Sequence, residues 1–315
     1  MQSLNPNEIK ALELDWTTTD IIRTGVPMDG SCFFHSLFYA YRTFRELTKE
    51  ARTEYIKTKR SELAISLTVN KWLNIQNGSV ALIQISEMMR TMIVETPDLI
   101  LHSNKSETEI MQILFALLDT HTIDQHILPE WDTECSHTEE NFDSEVFLNR
   151  MKSSWHQLFH NYIVKHIDHL EKEYDPPMIM STEERLKVVH KLASMSYIIF
   201  DIVLQKAYEQ FQKEIEEPST WIDIYSLLYI IGELDLGYNI ILIDATTKQI
   251  FEGMKIFSDP SNDEDEEDTY IILLYFPEFH FESVGKIMYA EDGVTKSVSR
   301  FFTNDDDIIK KYFLK

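Results

Sequence analysis

The stretch Met28–His35, which reads Met-Asp-Gly-Ser-Cys-Phe-Phe-His, decides how this chain is interpreted. Gly30 permits backbone angles that other residues avoid, so the sequence predicts a sharp turn directly before Cys32. The apolar residues after the cysteine have helical spacing, which places Cys32 at or near a helix N-terminus. Main-chain N–H groups and the helix dipole stabilise a thiolate there, and the same groups can receive an oxyanion. The stretch therefore predicts a nucleophilic cysteine.

The composition restricts the class of protein. Of the 315 residues, 43% are hydrophobic and 12% aromatic, which is ample for a folded core. Two cysteines exclude a disulfide scaffold and predict a reducing, cytoplasmic compartment. No apolar run of membrane-spanning length and no signal-peptide pattern occur, so no membrane is expected. The net charge of −24 disfavours nucleic acid and favours basic partners or simply solubility.

The pattern of elements divides the chain into three parts. Residues 1–45 hold the cysteine helix, residues 46–217 read almost entirely as helix, and residues 218–315 change to strands. We therefore expect an α+β fold, in which a small mixed or antiparallel sheet is flanked by helices and 46–217 forms a helical insertion. The predicted elements are strands at Asp20–Thr24, Tyr238–Ile243 and Thr269–Phe276, helices at 140–174 and 181–215, and a helix capped by Pro218–Thr220.

A thiolate nucleophile requires a base and a group that orients the base. His280 follows the predicted strand Thr269–Phe276 and precedes a further alternating stretch, so we expect it at a strand start beside a sheet edge. Glu282 lies two residues later, on the same face of that strand. Its carboxylate could accept the imidazole hydrogen bond and fix the tautomer. Taken alone, this His-x-Glu pattern also fits a surface histidine.

The motifs together resemble a known family. Asp29–Leu37 is similar to the nucleophile motif of the ovarian tumour (OTU) family of cysteine proteases, Asp-Gly-x-Cys followed by an apolar helix. His280–Val284 resembles the family's His-aromatic-Asp/Asn signature, and Trp221–Ile243 resembles the Trp-led helix and strand that precede it. The three motifs also occur in the family's order. The resemblance covers residues 20–45 and 218–290 and implies an OTU-like, papain-type core.

The resemblance implies a deubiquitinase, which hydrolyses the isopeptide bond after the C-terminal Gly-Gly of ubiquitin or a ubiquitin-like protein, including polyubiquitin chains. It makes Cys32 the nucleophile, His280 the general base and Glu282 the third member, although the family carries Asp or Asn there. Main-chain N–H groups of Asp29, Gly30 and Cys32 would form the oxyanion hole. No cofactor and no metal are implied.

The expected substrate agrees with elementary physics. A narrow Gly-Gly tail can reach a buried thiolate, and a protein with a net charge of −24 attracts the arginines of ubiquitin's tail. Phe279 and Phe281 could wall the channel for that tail, or they could be ordinary core aromatics of the sheet.

Other residues are weaker candidates for a catalytic or metal-binding role. Cys135 is interpreted as a solvated cysteine in a polar loop, and His156 with His160 as surface or interface histidines rather than metal ligands, because no third ligand is indicated. His35 could touch the Cys32 thiolate but points along the helix. Trp221 is interpreted as a packing residue.

Two other functions stay open from the sequence. The chain could be a catalytically weak or dead OTU fold that binds ubiquitin or has a structural role, or a cysteine protease that acts on another polypeptide, such as a viral polyprotein. The large insertion and the composition are compatible with a large DNA virus, in which case the compartment is the host cytoplasm. The sequence does not define the oligomeric state.

Overall fold

The computed structural model describes residues 1–13, 20–95, 129, 131, 135, 142–173, 181–222, 226–234, 236–250, 269–277, 280–294 and 296–312. The chain forms two compact units, of which the first consists of Met1–Leu67 with Gln212–Lys315 and the second of Thr68–Phe211. Among the described helices, none combines the length and the apolar character that a membrane span requires.

The first unit is built on one seven-stranded mixed sheet. Its path of neighbouring strands is β1-β2-β5-β4-β3, with β6 added to β5 and β7 added to β4. The β3–β4 pair is parallel and the others are antiparallel. The strands are β1 (Ile9–Ala11), β2 (Ile21–Thr24), β3 (Asn239–Asp244), β4 (Thr269–Phe276), β5 (His280–Tyr289), β6 (Lys296–Ser299) and β7 (Phe301–Thr303).

Strand β4 lies inside this sheet, and both of its faces are covered. Strand β4, Thr-Tyr-Ile-Ile-Leu-Leu-Tyr-Phe, is buried along nearly its whole length, as continuous apolar runs are in doubly covered sheets. On one face, a cluster that includes Ile272, Leu274 and Val284 packs with Phe302 and Ile309. The predicted combination of helices with a mixed sheet is confirmed, and the likeness of this core to the OTU fold stays a prediction.

The described helices divide between the two units. The first unit contains the cysteine helix, whose seven residues are all buried. The second contains the two long helices predicted at 140–174 and 181–215, apart from the last residues of the second of them. The helices are α1 (Cys32–Phe38), α2 (Arg42–Glu46), α3 (Lys49–Ser66), α4 (Val69–Asn74), α5 (Ser79–Glu95), α6 (Ser144–Glu173), α7 (Thr182–Glu216), α8 (Leu227–Leu234) and α9 (Asp307–Tyr312).

The division into units differs from the sequence-based boundaries at 45 and 217. Helix α3 lies in the first unit with the sheet, although the sequence placed it in the helical insertion. The physical reason is that α3 packs against α8 of the first unit. The hydroxyl of Tyr229, in α8, donates to the carbonyl oxygen of Leu63, in α3, at 3.2 Å. The sequence pattern of α3 is helical in either position, so periodicity alone does not assign it.

The second unit packs around buried tryptophans. The Trp131 indole N–H donates to the Met151 carbonyl oxygen at 2.9 Å, and the Trp155 indole N–H donates to that of Ser196 at 3.0 Å. Buried indoles need such partners. Cys135 is helical and only 2% exposed, so the prediction of a solvated cysteine is wrong.

The structure corrects the prediction that Pro218–Thr220 caps a helix. Pro218–Thr220 forms a turn and does not cap a helix, since α8 begins only at Leu227. Trp221 is 39% exposed, so its side chain is only partly covered. The apolar run Leu227–Leu234 supplies the buried face that a helix needs.

Candidate active site

The turn before α1 is closed by its own hydrogen bonds. The Ser31 N–H donates to Asp29 Oδ1 at 2.9 Å, and the Cys32 N–H donates to the Asp29 carbonyl oxygen at 3.1 Å. The Ser31 hydroxyl donates to the Pro218 carbonyl oxygen at 2.9 Å. Cys32 is the first residue of α1, as predicted. The expected oxyanion donors, on Asp29, Gly30 and Cys32, all lie in this turn, and an oxyanion at the Cys32 N–H would compete with the Asp29 oxygen.

Gly30 is needed for space rather than for its backbone angle. Its φ lies outside the left-handed region, so the predicted reason for a glycine here is wrong. A Cβ atom at this position would collide with main-chain atoms of Ser219 and Thr220. A backbone neighbour cannot move aside as a flexible side chain can, so any side chain at position 30 would displace the turn from the segment that follows α7.

Cys32 is a buried, neutral thiol in this structure. The residue is 2% exposed, and burial raises the pKa of the thiol to about 12. Hydrogen bonding from the main-chain N–H groups of Phe281 and Phe33 acts to lower the pKa, and the Asp29 charge acts to raise it. The expectation that the helix N-terminus leaves Cys32 as a stabilised thiolate is therefore wrong for this resting state, because loss of hydration outweighs the amide dipoles.

His280 is the first residue of β5 and is 1% exposed. β5 is the middle strand of the path, but its pairing with β2 begins only at Ser283, so that within the described sheet His280 itself is paired with Phe276 of β4. Within the described part of the chain, neither ring nitrogen has a hydrogen-bond partner. Burial lowers the pKa of His280 to about 4, and the nearby Asp29 charge only partly opposes this. The imidazole is therefore a neutral base.

Glu282 points to the same side of β5 as His280, as the period of two predicts, but it does not hold the imidazole. Its Oε1 lies 4.0 Å from His280 Nε2, which is too long for a hydrogen bond. Glu282 Oε1 accepts from the Leu4 N–H at 2.6 Å, and Oε2 accepts from Arg23 Nη1 at 3.1 Å. Burial raises the pKa of the fully buried Glu282, against the effect of these two donors.

Phe281 is a core aromatic, which is one of its two predicted roles. It is 2% exposed, and its ring lies edge-on to Phe33 of α1 with centroids 5.3 Å apart. Side chains alternate along a strand, so Phe281 faces α1 while Glu282 faces the opposite side of the sheet, where Leu4 lies. Phe279, the other predicted channel residue, lies outside the described residues.

His35 contacts the carboxylate of Asp29 and lowers its pKa. Its Nε2 lies 3.5 Å from Asp29 Oδ2. Burial alone would raise the pKa of Asp29, but the hydrogen bond and charge of His35, together with the Ser31 N–H, hold it below its ordinary value. Asp29 therefore carries a negative charge close to both Cys32 and His280.

The sequence did not single out three groups that the structure places at the site: Arg23, Arg60 and the Leu4 N–H. Each contacts its partner over a long stretch of chain, 259 residues for Arg23 with Glu282 and 155 for Arg60 with Ile215. Local periodicity contains no signal for such pairs. One sequence signal was available for Arg60: a cation on the otherwise apolar buried face of a helix is unusual and indicates a specific partner.

His156 of the second unit has ordinary partners. His156 Nδ1 lies 2.7 Å from the Ser196 hydroxyl, and its ring stacks on Tyr197 with centroids 4.1 Å apart. Over the residues that the structure describes, no group of three or more His, Cys, Asp or Glu side chains is arranged to hold a metal ion.

The burial of His280 predicts a loss of stability in mild acid. The unfolded chain binds the proton near pH 6.5 and the folded chain near pH 4, so this contribution is complete above pH 6.5 and is lost as the pH falls towards 4. The loss is about 3 kcal/mol in the free energy of unfolding. We expect chemical denaturation between pH 7 and 4 to give a shallower pH dependence for His280→Gln and His280→Leu than for the wild type. A wild-type slope in both variants would contradict the prediction.

Comparisons of the chain with protein-family models, with curated proteins and with solved structures found no match.

Proposed function

We propose that the protein is a cysteine-type deubiquitinase that cleaves the isopeptide bond after the C-terminal Gly-Gly of ubiquitin or a ubiquitin-like protein. The observation that carries the proposal is the meeting of two chain segments. The first residue of α1, Cys32, lies against the Phe281 N–H, and the preceding residue is His280, the first residue of β5. A nucleophile and a base that are far apart in sequence thus start adjacent elements.

The proposed reaction uses a neutral pair. His280 takes the proton of the Cys32 thiol as the sulfur attacks the glycine carbonyl carbon, and it then gives that proton to the departing lysine amine as the C–N bond breaks. Water hydrolyses the resulting thioester, which releases the glycine carboxylate and restores the thiol. Because both groups are neutral at rest, the thiolate forms only as it attacks.

Glu282 has an electrostatic part in this proposal. The proposed mechanism assigns Nε2 of His280, 4.0 Å from Glu282 Oε1, to the carboxylate and Nδ1 to the thiol. When the imidazole becomes a cation, a carboxylate 4.0 Å from Nε2 stabilises that cation without a hydrogen bond in the resting state. The Leu4 N–H and Arg23 hold the carboxylate in place.

A second candidate is a ubiquitin-binding protein without catalysis. The observation that favours it is the burial of both groups, since a thiol with a pKa of about 12 beside an imidazole with a pKa of about 4 does not form an ion pair at neutral pH. Many cysteine proteases depend on such a pair.

The two candidates predict different products with a ubiquitin that carries a C-terminal electrophile. A deubiquitinase forms a covalent adduct, and we expect peptide mapping by mass spectrometry to place it on Cys32 and not on Cys135. Both cysteines must react with iodoacetamide after denaturation, which shows that the thiols are intact. Binding of unmodified ubiquitin without an adduct would support the second candidate and overturn the first.

A further inference from the structure

Arg60 is a fully buried cation in the middle of α3. Burial lowers the pKa of its guanidinium to about 10, so the group is still charged at neutral pH. Its charge is compensated by main-chain oxygens from three separate segments of the first unit. Its hydrogen bonds run from Nε to Ile215 O at 2.7 Å, from Nη1 to Gly30 O at 3.0 Å, and from Nη2 to Glu214 O at 2.8 Å and Thr220 O at 3.1 Å.

The contact with Gly30 fixes one peptide plane of the nucleophile turn. In a trans peptide the carbonyl and the following N–H point in opposite directions. Arg60 holds the Gly30 oxygen, and the Ser31 N–H on the other side of the same peptide therefore points at Asp29 Oδ1, 2.9 Å away. The next N–H, that of Cys32, closes the turn. The guanidinium also lies over the Phe34 ring of α1, 5.3 Å from its centroid.

The other contacts anchor the same guanidinium to a rigid support. Glu214 and Ile215 lie in the last turn of α7, where helix carbonyls lack partners within the helix. A guanidinium presents five donors in a fixed plane, so it can bridge this helix end and the turn at once. The fit is close, because Gly30 leaves no room for a side chain against Ser219 and Thr220.

We propose that Arg60 is a positioning residue for Cys32, which it holds by clamping the Gly30–Ser31 peptide to the end of α7 and to Thr220. The proposal rests on the proposed function for its effect on catalysis, but its effect on the thiol does not depend on ubiquitin. When the clamp is lost, the turn relaxes, the thiol becomes more accessible, and its alignment with His280 is lost.

The test compares Arg60→Met with Arg60→Lys and with Arg300→Met. Arg300 is a matched control, since it is 4% exposed in the same unit, and its contacts are with Thr24 at 2.9 Å and the Tyr39 ring at 4.7 Å rather than with the turn. We expect Arg60→Met to lower kcat on a ubiquitin C-terminal reporter by about 100-fold with little change in KM, as misalignment does. Arg60→Lys should recover about tenfold of that loss and stay about tenfold below the wild type, because a lysine ammonium cannot make all four hydrogen bonds of the guanidinium.

The second readout is alkylation of Cys32 by iodoacetamide, counted by mass spectrometry. At equal loss of unfolding free energy, we expect Cys32 to react at least about tenfold faster in Arg60→Met than in Arg300→Met, and its rate in Arg60→Lys to lie between those of Arg60→Met and the wild type. Equal rates in the two methionine variants would overturn the proposal, even if no variant hydrolyses ubiquitin. If Arg60→Met does not fold, Arg60→Lys decides: wild-type kcat and wild-type alkylation together would show that Arg60 does not position the turn.

Discussion

Cys32→Ala is expected to abolish hydrolysis of a ubiquitin C-terminal reporter, with a loss in kcat of at least about 10⁴-fold. The reason is that the thioester intermediate needs the sulfur atom at the start of α1, and no hydroxyl or thiol replaces it. The variant should still bind ubiquitin, because the methyl group of alanine keeps most of the buried volume. Steady-state kinetics and a binding titration on the same preparation separate the two effects.

Cys135→Ala is the matched control for this variant. Both cysteines are 2% exposed, so both substitutions remove one buried sulfur atom. We expect Cys135→Ala to keep kcat within about twofold of the wild type, since its side chain packs in the second unit. Wild-type activity in Cys32→Ala would end the assignment of the nucleophile, and an equal loss in both variants would point to unfolding.

His280→Ala is expected to reduce kcat nearly as much as the loss of the thiol, because the nucleophile and its base act as a unit. The effect should be large in this protein. Burial keeps the Cys32 thiol protonated with a pKa of about 12, so hardly any thiolate forms without the base. A pH series supplies a further check: residual activity in His280→Ala should rise about tenfold per pH unit as hydroxide replaces the base.

His156→Ala provides the control for a lost histidine. His156 also makes a close polar contact, 2.7 Å to the Ser196 hydroxyl, but it lies in the second unit. Its replacement should leave kcat within about twofold. If His280→Ala retained wild-type activity, the base would have to be another group. By contrast, Glu282→Gln should cost less than His280→Ala, because it removes a charge near the imidazole but leaves the base in place; the single amide oxygen can keep only one of the two donors, the Leu4 N–H or Arg23.

The sequence predicted those parts of the fold that depend on local pattern. Strand Thr269–Phe276 was placed with its observed bounds and the cysteine helix with its observed start, because an apolar run or a turn before helical spacing is a short-range signal. The fold of the first unit depends on pairings between distant segments, so the position of α3 and the central place of β5 were not predictable in this way.

Cys32, His280 and Glu282 were predicted from the sequence as site residues, but the electrostatics of the site were not. A helix N-terminus suggests a stabilised thiolate, whereas burial, which only the packed structure fixes, reverses the direction of the pKa shift for Cys32. The need for a glycine at position 30 likewise follows only from the packed structure. It arises from the close approach of Ser219 and Thr220 and not from the backbone angle of Gly30. The role of Arg60 was not predicted, because its hydrogen-bond acceptors come from three separate parts of the chain.

The split of the first unit between Met1–Leu67 and Gln212–Lys315 has a consequence for synthesis on the ribosome. Cys32 is translated about 250 residues before His280, which at the usual rates of elongation is a delay of roughly 10–50 s. During this interval β2 has no β5 to pair with, and until Thr220 has been made the turn around Gly30 also lacks the end of α7. The second unit, being continuous, is complete in the nascent chain before then. The Cys32 thiol therefore spends its first seconds unburied and open to oxidation, and it is enclosed only when β5 emerges.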